Sequence, residues 1–372
     1  MNFLIVTHVV HAQSNNKYYG YAPYINEMNI WIKNVDKLTI IAPLKDYQTT
    51  AIHQCYQHDN IEFISVPEFS FISPKKSIQA LFCIPVILFK LVIQFSKANH
   101  IHLRCPGNMG LLGSFVQVFF PFKKKSAKYA GNWDEKSKQP LSYKMQRSIL
   151  SSTFLTKNIQ VLVYGNWKNL SKNGKPFFTA TYKKSEIESF KPKDLTGTIH
   201  FVFVGTLSRG KQPQYAIEIV QNLMQKGVNC QLELYGNGAE KNSLEQYIKT
   251  NNLQNSIFLK GVSNREEMKS IYQKSHFLLL PSKSEGWPKV VAEAMFWGCL
   301  PAVTAVSCIP DMLANGSRGI ILSNNLTADA QALVDLMKKP DVYIAKLQEA
   351  YNWSIQFTID KFEDEIKKIV NT

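Results

Sequence analysis

Short apolar runs alternate with longer mixed segments along most of the chain. In the first half, runs such as residues 3–6 and 37–42 have the length of buried strands, and segments of helical length separate them. Strands that alternate with helices are typical of a parallel sheet with helices on both faces. The other predicted strands of this half are residues 60–66, 100–104, 128–131 and 159–163.

The alternation stops between residues 167 and 198 and then resumes. This interval is rich in Lys, Asn, Ser and Pro, a composition typical of a connection between domains. After it come predicted strands at residues 199–204, 231–235, 257–259, 277–280, 300–303 and 319–322. The pattern therefore predicts an α/β protein with two Rossmann-like, doubly wound domains. The expected boundaries are residues 1–170, a connection at 171–198, a second domain at 199–355 and a C-terminal helix at 356–372.

Composition narrows the class of protein and of partner. The length of 372 residues suits two ordinary domains, and 45% hydrophobic with 19% charged residues indicates a globular chain. The net charge of +15 predicts an anionic partner: a phosphorylated substrate, an acidic membrane surface or nucleic acid. The lysines are spread along the chain, which argues against nucleic acid. Six cysteines without C-x-x-C spacing indicate free thiols in a reducing compartment, and no metal-site spacing of His and Cys is present.

The most informative stretch runs from residue 277 to residue 302. An apolar run is followed by a loop that contains Glu285, then by a predicted helix, then by a second apolar run. Pro288 suits the first turn of that helix and Gly298 suits the position just past its end. A strand, loop, helix and strand in this order place ligands at the carboxyl ends of the strands.

The start of this helix is a predicted diphosphate site. Its free N–H groups and partial positive charge attract phosphate, Gly286 permits close backbone approach, and Lys289 adds a charge. Glu293 could accept two hydroxyl hydrogen bonds, as a ribose would supply. An amphipathic helix after an exposed loop is the plain alternative for two glutamates at this spacing alone. The flanking strands favour the site.

The run L-L-P-S-x-S-E-G-W-P-x-V-x-x-E-A-M-x-x-G-x-x-P at residues 279–301 resembles the E-x7-E signature of one enzyme family. That family is the retaining, nucleotide-sugar-dependent glycosyltransferases with the GT-B fold, the glycosyl transferases group 1 of the family 4-like type. The resemblance implies two Rossmann-like domains facing a central cleft and transfer of a sugar from a nucleotide-diphosphate sugar to a hydroxyl acceptor with retention. It implies that Glu285 bonds the donor sugar, that Glu293 holds the ribose, and that no metal or other cofactor is required.

The same resemblance assigns two further loops of the second domain. Lys211 falls on the family's lysine position, which contacts the donor diphosphate, whereas Thr206 stands where the family usually has arginine. Arg209 is the predicted substitute. The implied donor contacts are completed by Gly205, Asn237, Gly238, Val262, Gly286, Trp287, Pro288, Lys289 and Val290.

The resemblance is thinner in the first domain. Gly20 fits the family's glycine loop after the first strand only loosely. Where many members place a histidine, this chain has Gly131 and Asn132, so Asn132 and Asp134 are the candidates to bond sugar hydroxyls. His102 and His8 are neighbouring alternatives, although histidines in such settings are more often structural.

Two apolar segments lie beside lysine clusters in the first domain. Residues 78–95 follow Lys75 and Lys76, and residues 110–122 precede three lysines at 123–125. This arrangement suits an interfacial membrane contact. Ordinary sheet-covering helices are an equal alternative, and no uncharged apolar run reaches the ~18 residues of a spanning helix. The N-terminal residues are expected to form a strand, not a signal peptide.

Three functions remain open at this point. The first is a glycosyltransferase for a lipid-linked or cell-surface glycan, attached peripherally to the cytoplasmic face of the plasma membrane. The second is another GT-B enzyme, such as a nucleotide-sugar epimerase or a phosphorylase. The third is a non-catalytic, membrane-associated scaffold with this fold, which the absent histidine and Thr206 favour.

Overall fold

The chain forms two compact units. The computed structural model describes residues 1–50, 52–70 and 74–371. The first unit comprises residues 1–177 and 363–371, and the second comprises residues 178–362.

The first unit is built on a seven-stranded parallel sheet. The described strands of the whole unit are β1 (Asn2–Val6), β2 (Ala12–Ser14), β3 (Lys17–Tyr21), β4 (Lys37–Pro43), β5 (His53–Cys55), β6 (Ile61–Val66), β7 (His100–Cys105), β8 (Lys124–Tyr129), β9 (Ile159–Tyr164) and β10 (Gly174–Phe177). Seven of them form the sheet in the order β10-β9-β8-β7-β1-β4-β6. The chain leaves β1 toward β4 on one side and returns to β7 on the other, so the switch point lies between β1 and β7.

Four helices lie wholly within this unit. They are α1 (Ala22–Trp31), α2 (Pro74–Lys97), α3 (Asn108–Val116) and α4 (Leu141–Ser151). Helix α2 packs against β1 and α3 with one face, on which Ala80, Ile87, Leu91 and Phe95 are fully buried.

The opposite face of α2 is apolar and exposed. Leu81, Phe82 and Phe89 each have more than half of their surface accessible. Among the described residues, Ile78–Lys97 is the one stretch whose length and hydropathy would allow it to cross a membrane, and 28% of it is buried. Because its buried face packs on β1 and α3, we interpret α2 as a sheet-covering helix with an uncovered outer face.

Three predictions for this unit are wrong. Gly20 was expected in a glycine loop after the first strand, but the segment after β1 contains β2 and β3, which join β5 in a small antiparallel sheet, so Gly20 lies in a strand. Strand β8 begins at Lys124, four residues before its predicted start. Strand β10 occupies residues that were expected to belong to the connection.

The earlier start of β8 changes the role of the lysine cluster at 123–125. The Lys125 side chain is buried, and its Nζ donates to the carbonyls of Gln117 (3.2 Å) and Phe120 (2.8 Å). Burial lowers the pKa of Lys125 to about 8. Lys123 likewise donates to the carbonyls of Ser96 and Ala98. These two lysines therefore satisfy backbone carbonyls of the fold.

The second unit contains a six-stranded parallel sheet. Its strands are β11 (Ile199–Val204), β12 (Cys230–Tyr235), β13 (Ile257–Gly261), β14 (Phe277–Leu280), β15 (Leu300–Thr304) and β16 (Ile320–Leu322). Their order is β13-β12-β11-β14-β15-β16, with the switch point between β11 and β14. The prediction of an α/β fold with two parallel sheets is confirmed, and the cleft stays a prediction.

Helices cover the second sheet and close the chain. They are α5 (Pro213–Gln225), α6 (Lys241–Thr250), α7 (Arg265–Lys274), α8 (Lys289–Phe296), α9 (Ile309–Met312), α10 (Leu326–Met337), α11 (Pro340–Ser354) and α12 (Ile359–Asn371). The end of α12 belongs to the first unit, where Glu363 pairs with Lys33 and Glu365 pairs with Lys175, each at 2.5 Å.

Candidate active site

Two loops meet at the switch point of the second sheet. One follows β11 and the other follows β14, and the Lys283 N–H donates to the Gly210 carbonyl at 2.8 Å. Their side chains also meet, because Lys211 Nζ lies 2.5 Å from Glu285 Oε1. Since the two strands are neighbours, residues 74 positions apart come together at the edge where such sheets bind ligands.

Burial makes this ion pair asymmetric. The Glu285 side chain is 6% exposed, whereas that of Lys211 is 28% exposed. A buried carboxylate needs a charge partner or hydrogen bonds, and Lys211 supplies both. An ammonium group carries three protons, so two remain on the more exposed partner for other acceptors. The pair can therefore receive an anion on its lysine side while Glu285 stays compensated.

The N-terminus of α8 adds backbone donors beside this pair. Pro288 is its N-cap residue, and no side chain caps the helix within the described chain. The first N–H groups of Lys289 and Val290 precede the regular helical hydrogen bonds, so this end attracts negative charge. The preceding loop is held in place because the Gly286 carbonyl accepts from Ser307 Oγ (3.2 Å) and Cys308 Sγ (3.1 Å).

Glycines pack the neighbouring loops tightly against each other. The Gly205 N–H donates to the Tyr235 carbonyl at 2.9 Å, and the Leu207 N–H donates to the Asn237 carbonyl at 3.0 Å. A Cβ on Gly236 would lie 1.8 Å from the Gly205 carbonyl oxygen, and one on Gly238 would lie 2.3 Å from that of Leu207. These glycines are required because two backbones are in contact. Thr206 and Asn237 remain exposed at the surface of these loops.

Glu293, on the second turn of α8, has partners of its own. Thr181 Oγ1 donates to Glu293 Oε1 at 2.6 Å, and the Tyr272 hydroxyl donates to Oε2 at 3.3 Å. Burial, and then the charge of Glu293, raises the pKa of Tyr182. Thr181 and Tyr272 come from distant segments, and no sequence pattern marked either of them.

The remaining predicted donor residues of this unit are placed as follows. Arg209 is 95% exposed, and its Nε lies 3.6 Å from Glu240 Oε1. The Trp287 ring packs against Trp353 and Phe357, at 6.1 and 5.6 Å between ring centroids. Val262, just after β13, is 74% exposed. The structure thus brings Lys211 and Glu285 into direct contact and leaves Arg209 extended on the surface of its loop.

The acceptor residues predicted in the first unit have structural surroundings. His102 is fully buried, its Nδ1 lies 2.9 Å from Ser126 Oγ, and its ring packs on Trp31. Burial lowers its pKa well below the usual value. A side chain in the core cannot bond a sugar, so the prediction for His102 is wrong. Gly20 is buried in β3, where a Cβ would lie 3.0 Å from Ile25.

Asn132 and Asp134 shape the loop after β8. Asn132 Oδ1 accepts from the Asp134 N–H at 2.9 Å, and Asp134 Oδ1 accepts from the Lys136 N–H at 3.0 Å. These are turn-stabilising bonds, and both side chains are half-buried. Among the described residues, no three His, Cys, Asp or Glu side chains are grouped closely enough to hold a metal ion. All six cysteines are free thiols.

Sequence comparisons relate the second unit to known transferases. Residues 184–349 match the model of the family described as glycosyl transferases group 1. An uncharacterized glycosyltransferase of Haemophilus influenzae is 28% identical over 171 residues, which are 45% of this chain and 47% of that protein. The capsular polysaccharide biosynthesis glycosyltransferase CapM of Staphylococcus aureus is 24% identical over 54% of this chain and 50% of its own. The matches thus span about half the length of these two relatives.

A comparison of folds extends over both units. The structure of HepE from Anabaena in complex with UDP matches with a TM-score of 0.68 over 100% of both chains, at 13% identity. At this identity the match shows the fold alone. The family match therefore concerns residues 184–349 of the second unit, and the structural match shows that the fold is that of the GT-B structures.

Proposed function

We propose that this chain transfers a sugar from a nucleotide-diphosphate sugar to a hydroxyl group of a glycan acceptor, with retention of the anomeric configuration. The observation that carries the proposal is the contact between Lys211 and Glu285 at the switch point of the second sheet. A cation, a buried carboxylate and a helix N-terminus meet there, and these are the groups that a diphosphate attached to a sugar requires.

In this proposal the diphosphate binds between Lys211 and the start of α8. The two protons of Lys211 that Glu285 does not occupy bond phosphate oxygens, together with the N–H groups at the helix start. Gly286 allows close approach of the loop. Glu285 then accepts hydroxyl hydrogen bonds from the donor sugar, and Val262 contacts the base. The UDP complex of HepE makes UDP-sugars the first donors to test.

The transfer step needs no nucleophile from the protein. The bond from the anomeric carbon to the leaving phosphate oxygen breaks, and the acceptor oxygen bonds the same face of that carbon. The acceptor proton passes to the leaving diphosphate. As the bond to the anomeric carbon breaks, and before the proton arrives, negative charge grows on the diphosphate, where Lys211 and the helix start stabilise it. The positive charge that develops on the sugar ring is stabilised by the Glu285 carboxylate, and no metal is required.

A membrane-bound glycan is the acceptor that the first unit favours. The outer face of α2 is apolar and uncovered, and Phe119 and Phe122, which are 80% and 92% exposed, are further exposed apolar side chains of this unit. Amphipathic surfaces of this kind bind the interface of a bilayer without crossing it. We therefore propose peripheral attachment to the cytoplasmic face of the plasma membrane, in agreement with free cysteines and the charge of +15. The capsular relative CapM makes a polysaccharide acceptor the first choice.

Glu285→Gln tests the assignment of the site. The substitution keeps shape and removes the charge, so we expect turnover to fall by about 10²–10³-fold or more, with donor binding largely retained. Calorimetry with a panel of nucleotide sugars measures binding, and mass spectrometry of products measures transfer. The matched control is Glu240→Gln, which lies on a neighbouring loop and should leave turnover unchanged. Unaltered turnover in Glu285→Gln would refute the assignment.

The same assays separate the alternatives. Release of free nucleoside diphosphate only when an acceptor is present argues against an epimerase or a phosphorylase. A chain that binds none of the nucleotide sugars would favour a non-catalytic scaffold. Flotation with vesicles that contain anionic lipids tests the membrane contact independently, since it requires no donor.

A further inference from the structure

A cavity of about 470 Å³ lies in the second unit, away from Glu285. It is lined by the segment 188–193, by residues of α7 and α11, and by the C-terminal end of α8. Helix α8 ends at Phe296 and β15 begins at Leu300, so this end of the helix lies at the amino edge of the parallel sheet. The diphosphate site lies at the carboxyl edge. The cavity is therefore a separate place for a ligand.

The segment that closes the cavity is fastened to the unit at both ends. At its start, the Glu188 carboxylate accepts from Gln273 Nε2 at 3.2 Å and pairs with Lys269 Nζ at 2.7 Å. At its end, Lys193 Nζ donates to the carbonyl of Tyr272 at 2.7 Å. Since these contacts lie within one unit, the cavity is formed before any ligand arrives, as most small-molecule sites are.

The charged side chains that line the cavity are mainly positive. In the part of the chain that the structure describes, they are three lysines and one carboxylate: Glu188, Lys191, Lys193 and Lys269. The carboxylate of Glu188 is bonded to Lys269. Lys191 is exposed, and its charge acts on Glu188 without an ion-pair contact among the described residues. Lys191 and Lys193 are thus two cations without a carboxylate of their own.

Lys193 can bond a ligand inside the cavity. Its ammonium group donates to the carbonyls of Tyr272 and Ser275, and an ammonium carries a third proton. Burial lowers the pKa of Lys193 to about 8. The neighbouring carboxylate of Asp194 accepts instead from the N–H and the hydroxyl of Thr196, at 2.9 and 2.8 Å. An anion in the cavity would therefore supply the opposite charge that Lys193 lacks.

Aromatic side chains form the other part of the lining: Phe190, Phe296, Trp297 and Tyr351. The rings of Phe190 and Tyr351 lie 5.5 Å apart between centroids, and Lys269 Nζ lies 4.4 Å from the centre of the Trp297 ring. Pockets with aromatic walls and a few charged groups bind organic molecules, whose apolar body packs on the rings. The lining thus fits an anion that carries an aromatic or apolar group.

We propose that this cavity binds a small organic phosphate, namely a phosphate monoester with an aromatic or apolar body. A phosphate monoester carries close to two negative charges at pH 7 and accepts several hydrogen bonds. It therefore matches Lys191 and Lys193 together, whereas a carboxylate would compensate one of them. The inference goes beyond the proposed transfer reaction, because the ligand binds at the opposite edge of the sheet from the nucleotide sugar.

Phenyl phosphate is the probe, titrated into the full chain by calorimetry. Lys191→Glu reverses the charge of an exposed side chain, so we expect folding to be retained and binding to weaken about tenfold or more. The matched control is Lys338→Glu, an equal change at an exposed lysine just after α10, which should leave the affinity unchanged. Unchanged affinity in Lys191→Glu overturns the proposal. Equal losses in both variants would indicate a general charge effect and also overturn it.

Lys193→Met removes the partly buried cation and keeps the apolar stem. The carbonyls of Tyr272 and Ser275 lose their donor, so we expect a lower melting temperature together with weaker binding of phenyl phosphate. A purely structural role for Lys193 predicts the loss of stability with full affinity in the folded variant, and that result would contradict the proposal. Lys191→Glu remains decisive if Lys193→Met does not fold.

Two related compounds test the class of ligand. Inorganic phosphate has the charge without the ring, so it should bind about tenfold more weakly than phenyl phosphate. Benzoate has the ring with a single charge and should also bind more weakly. Equal affinity for phenyl phosphate and inorganic phosphate would rule out the aromatic part of the site. Equal affinity for phenyl phosphate and benzoate would rule out the phosphate.

Lys211→Met separates this cavity from the diphosphate site. The substitution should weaken binding of UDP and leave the affinity for phenyl phosphate unchanged. If the affinity for phenyl phosphate falls in Lys211→Met and not in Lys191→Glu, the probe binds at the diphosphate site and the proposal is wrong. None of these titrations requires a donor sugar or an acceptor, so the result holds whether or not the transferase function is confirmed.

Discussion

The two units contain sheets of the same winding but place different charges at the switch point. In the second unit, Lys211 and Glu285 form a balanced pair across adjacent loops, beside a helix N-terminus. In the first unit, Arg104 and Lys128 both lie close to the carboxylate of Glu27, and the charge of Arg104 acts on His8. Lys211 of the second unit keeps protons that an anion could accept, whereas the charged groups of the first unit contact one another inside the fold. One topology therefore carries different charged groups at its strand ends in the two units.

The units also differ in how their helices meet solvent. Helix α5 of the second unit buries Ile217 and Val220, while exposed Gln214 and Gln225 lie on its solvent side. Helix α2 of the first unit is apolar on both faces. Exposed apolar surface of this extent on one helix indicates an interaction site. The difference makes the outer face of α2 the surface on which to test the proposed membrane contact.

The largest predicted effect separates the two faces of α2. Leu91→Ala removes a fully buried side chain, so we expect a loss of about 2–5 kcal/mol in the free energy of unfolding. Phe89→Ala removes a side chain that is 68% exposed and should change stability by less than about 0.5 kcal/mol. Vesicle flotation should show the reverse order, with weaker binding for Phe89→Ala. Equal vesicle binding by Phe89→Ala and the unaltered chain would remove α2 from the membrane contact.

The next prediction compares one glycine from each unit. A Cβ on Gly236 would lie 1.8 Å from a backbone carbonyl oxygen, whereas one on Gly107 would meet the exposed side chain of His8 at 2.5 Å. A backbone carbonyl can move away from the new methyl group less easily than a side chain can. We therefore expect Gly236→Ala to lower the free energy of unfolding by about 3 kcal/mol and Gly107→Ala to lower it by about 1 kcal/mol. Denaturant unfolding measures both. Hydrogen exchange of peptides from each unit shows where the loss occurs, and equal losses would contradict the packing argument.

Acidification should destabilise the first unit more than the second. Burial lowers the pKa of His11 and of His100 to about 4, and that of His102 well below the usual 6.5. Unfolded, these imidazoles regain a pKa near 6.5, so between pH 6.5 and 4 the unfolded chain binds more protons. Stability therefore falls as pH drops through this window and is unaffected above it. At pH 5 each of His11 and His100 should have lowered the free energy of unfolding by roughly 2 kcal/mol relative to neutral pH.

Hydrogen exchange at pH 7 and pH 5, corrected for the intrinsic rate, tests this difference unit by unit. His276, whose pKa is also lowered by burial, is the corresponding group of the second unit. His100→Gln keeps a hydrogen-bonding partner for Ser126 and removes one titrating group. We expect this variant to lose less stability on acidification than the unaltered chain. If stability falls with pH at the same slope in both proteins, His100 does not contribute to the acid destabilisation.

The difference between the units also explains what could be predicted from sequence. The chemistry of the second unit is local: a strand, the loop with Glu285 and a helix that starts at Lys289 follow one another, and the helix was predicted to within one residue at each end. The apolar runs likewise predicted all six strands of this sheet. Thr181 and Tyr272 could not be predicted, because their contact with Glu293 depends on tertiary packing.

In the first unit the charged residues that meet in the fold are far apart in the sequence. Glu27, Arg104 and Lys128 come from a helix and two strands, and each looked like an isolated charge in an apolar segment. The position of Arg104 at the end of a buried strand was the one sequence feature that indicated this cluster. His102 was a candidate because the chain lacks the family's histidine, but it lies between Ile101 and Leu103 in a buried strand, where its ring packs near Trp31 and Phe3. The lysines at 123–125 were predicted to suit a membrane contact or the end of a sheet-covering helix, because the bonds of Lys123 and Lys125 to backbone carbonyls depend on where β8 begins.

The smallest predicted effect concerns Glu293, which tests how far the balanced site of the second unit extends. Its carboxylate is already bonded to Thr181 and Tyr272, so these partners hold it in one orientation on α8. If it binds the ribose, Glu293→Ala should weaken nucleotide binding by about tenfold, or ~1.4 kcal/mol, with little change in turnover at saturating donor. Thr181→Val is the matched control: it removes one orienting bond and should cost less affinity than loss of the carboxylate. Calorimetry with UDP measures both variants without an acceptor. Undiminished UDP affinity in Glu293→Ala would restrict the nucleotide site to Lys211, Glu285 and the first turn of α8, and would leave Glu293 a structural residue.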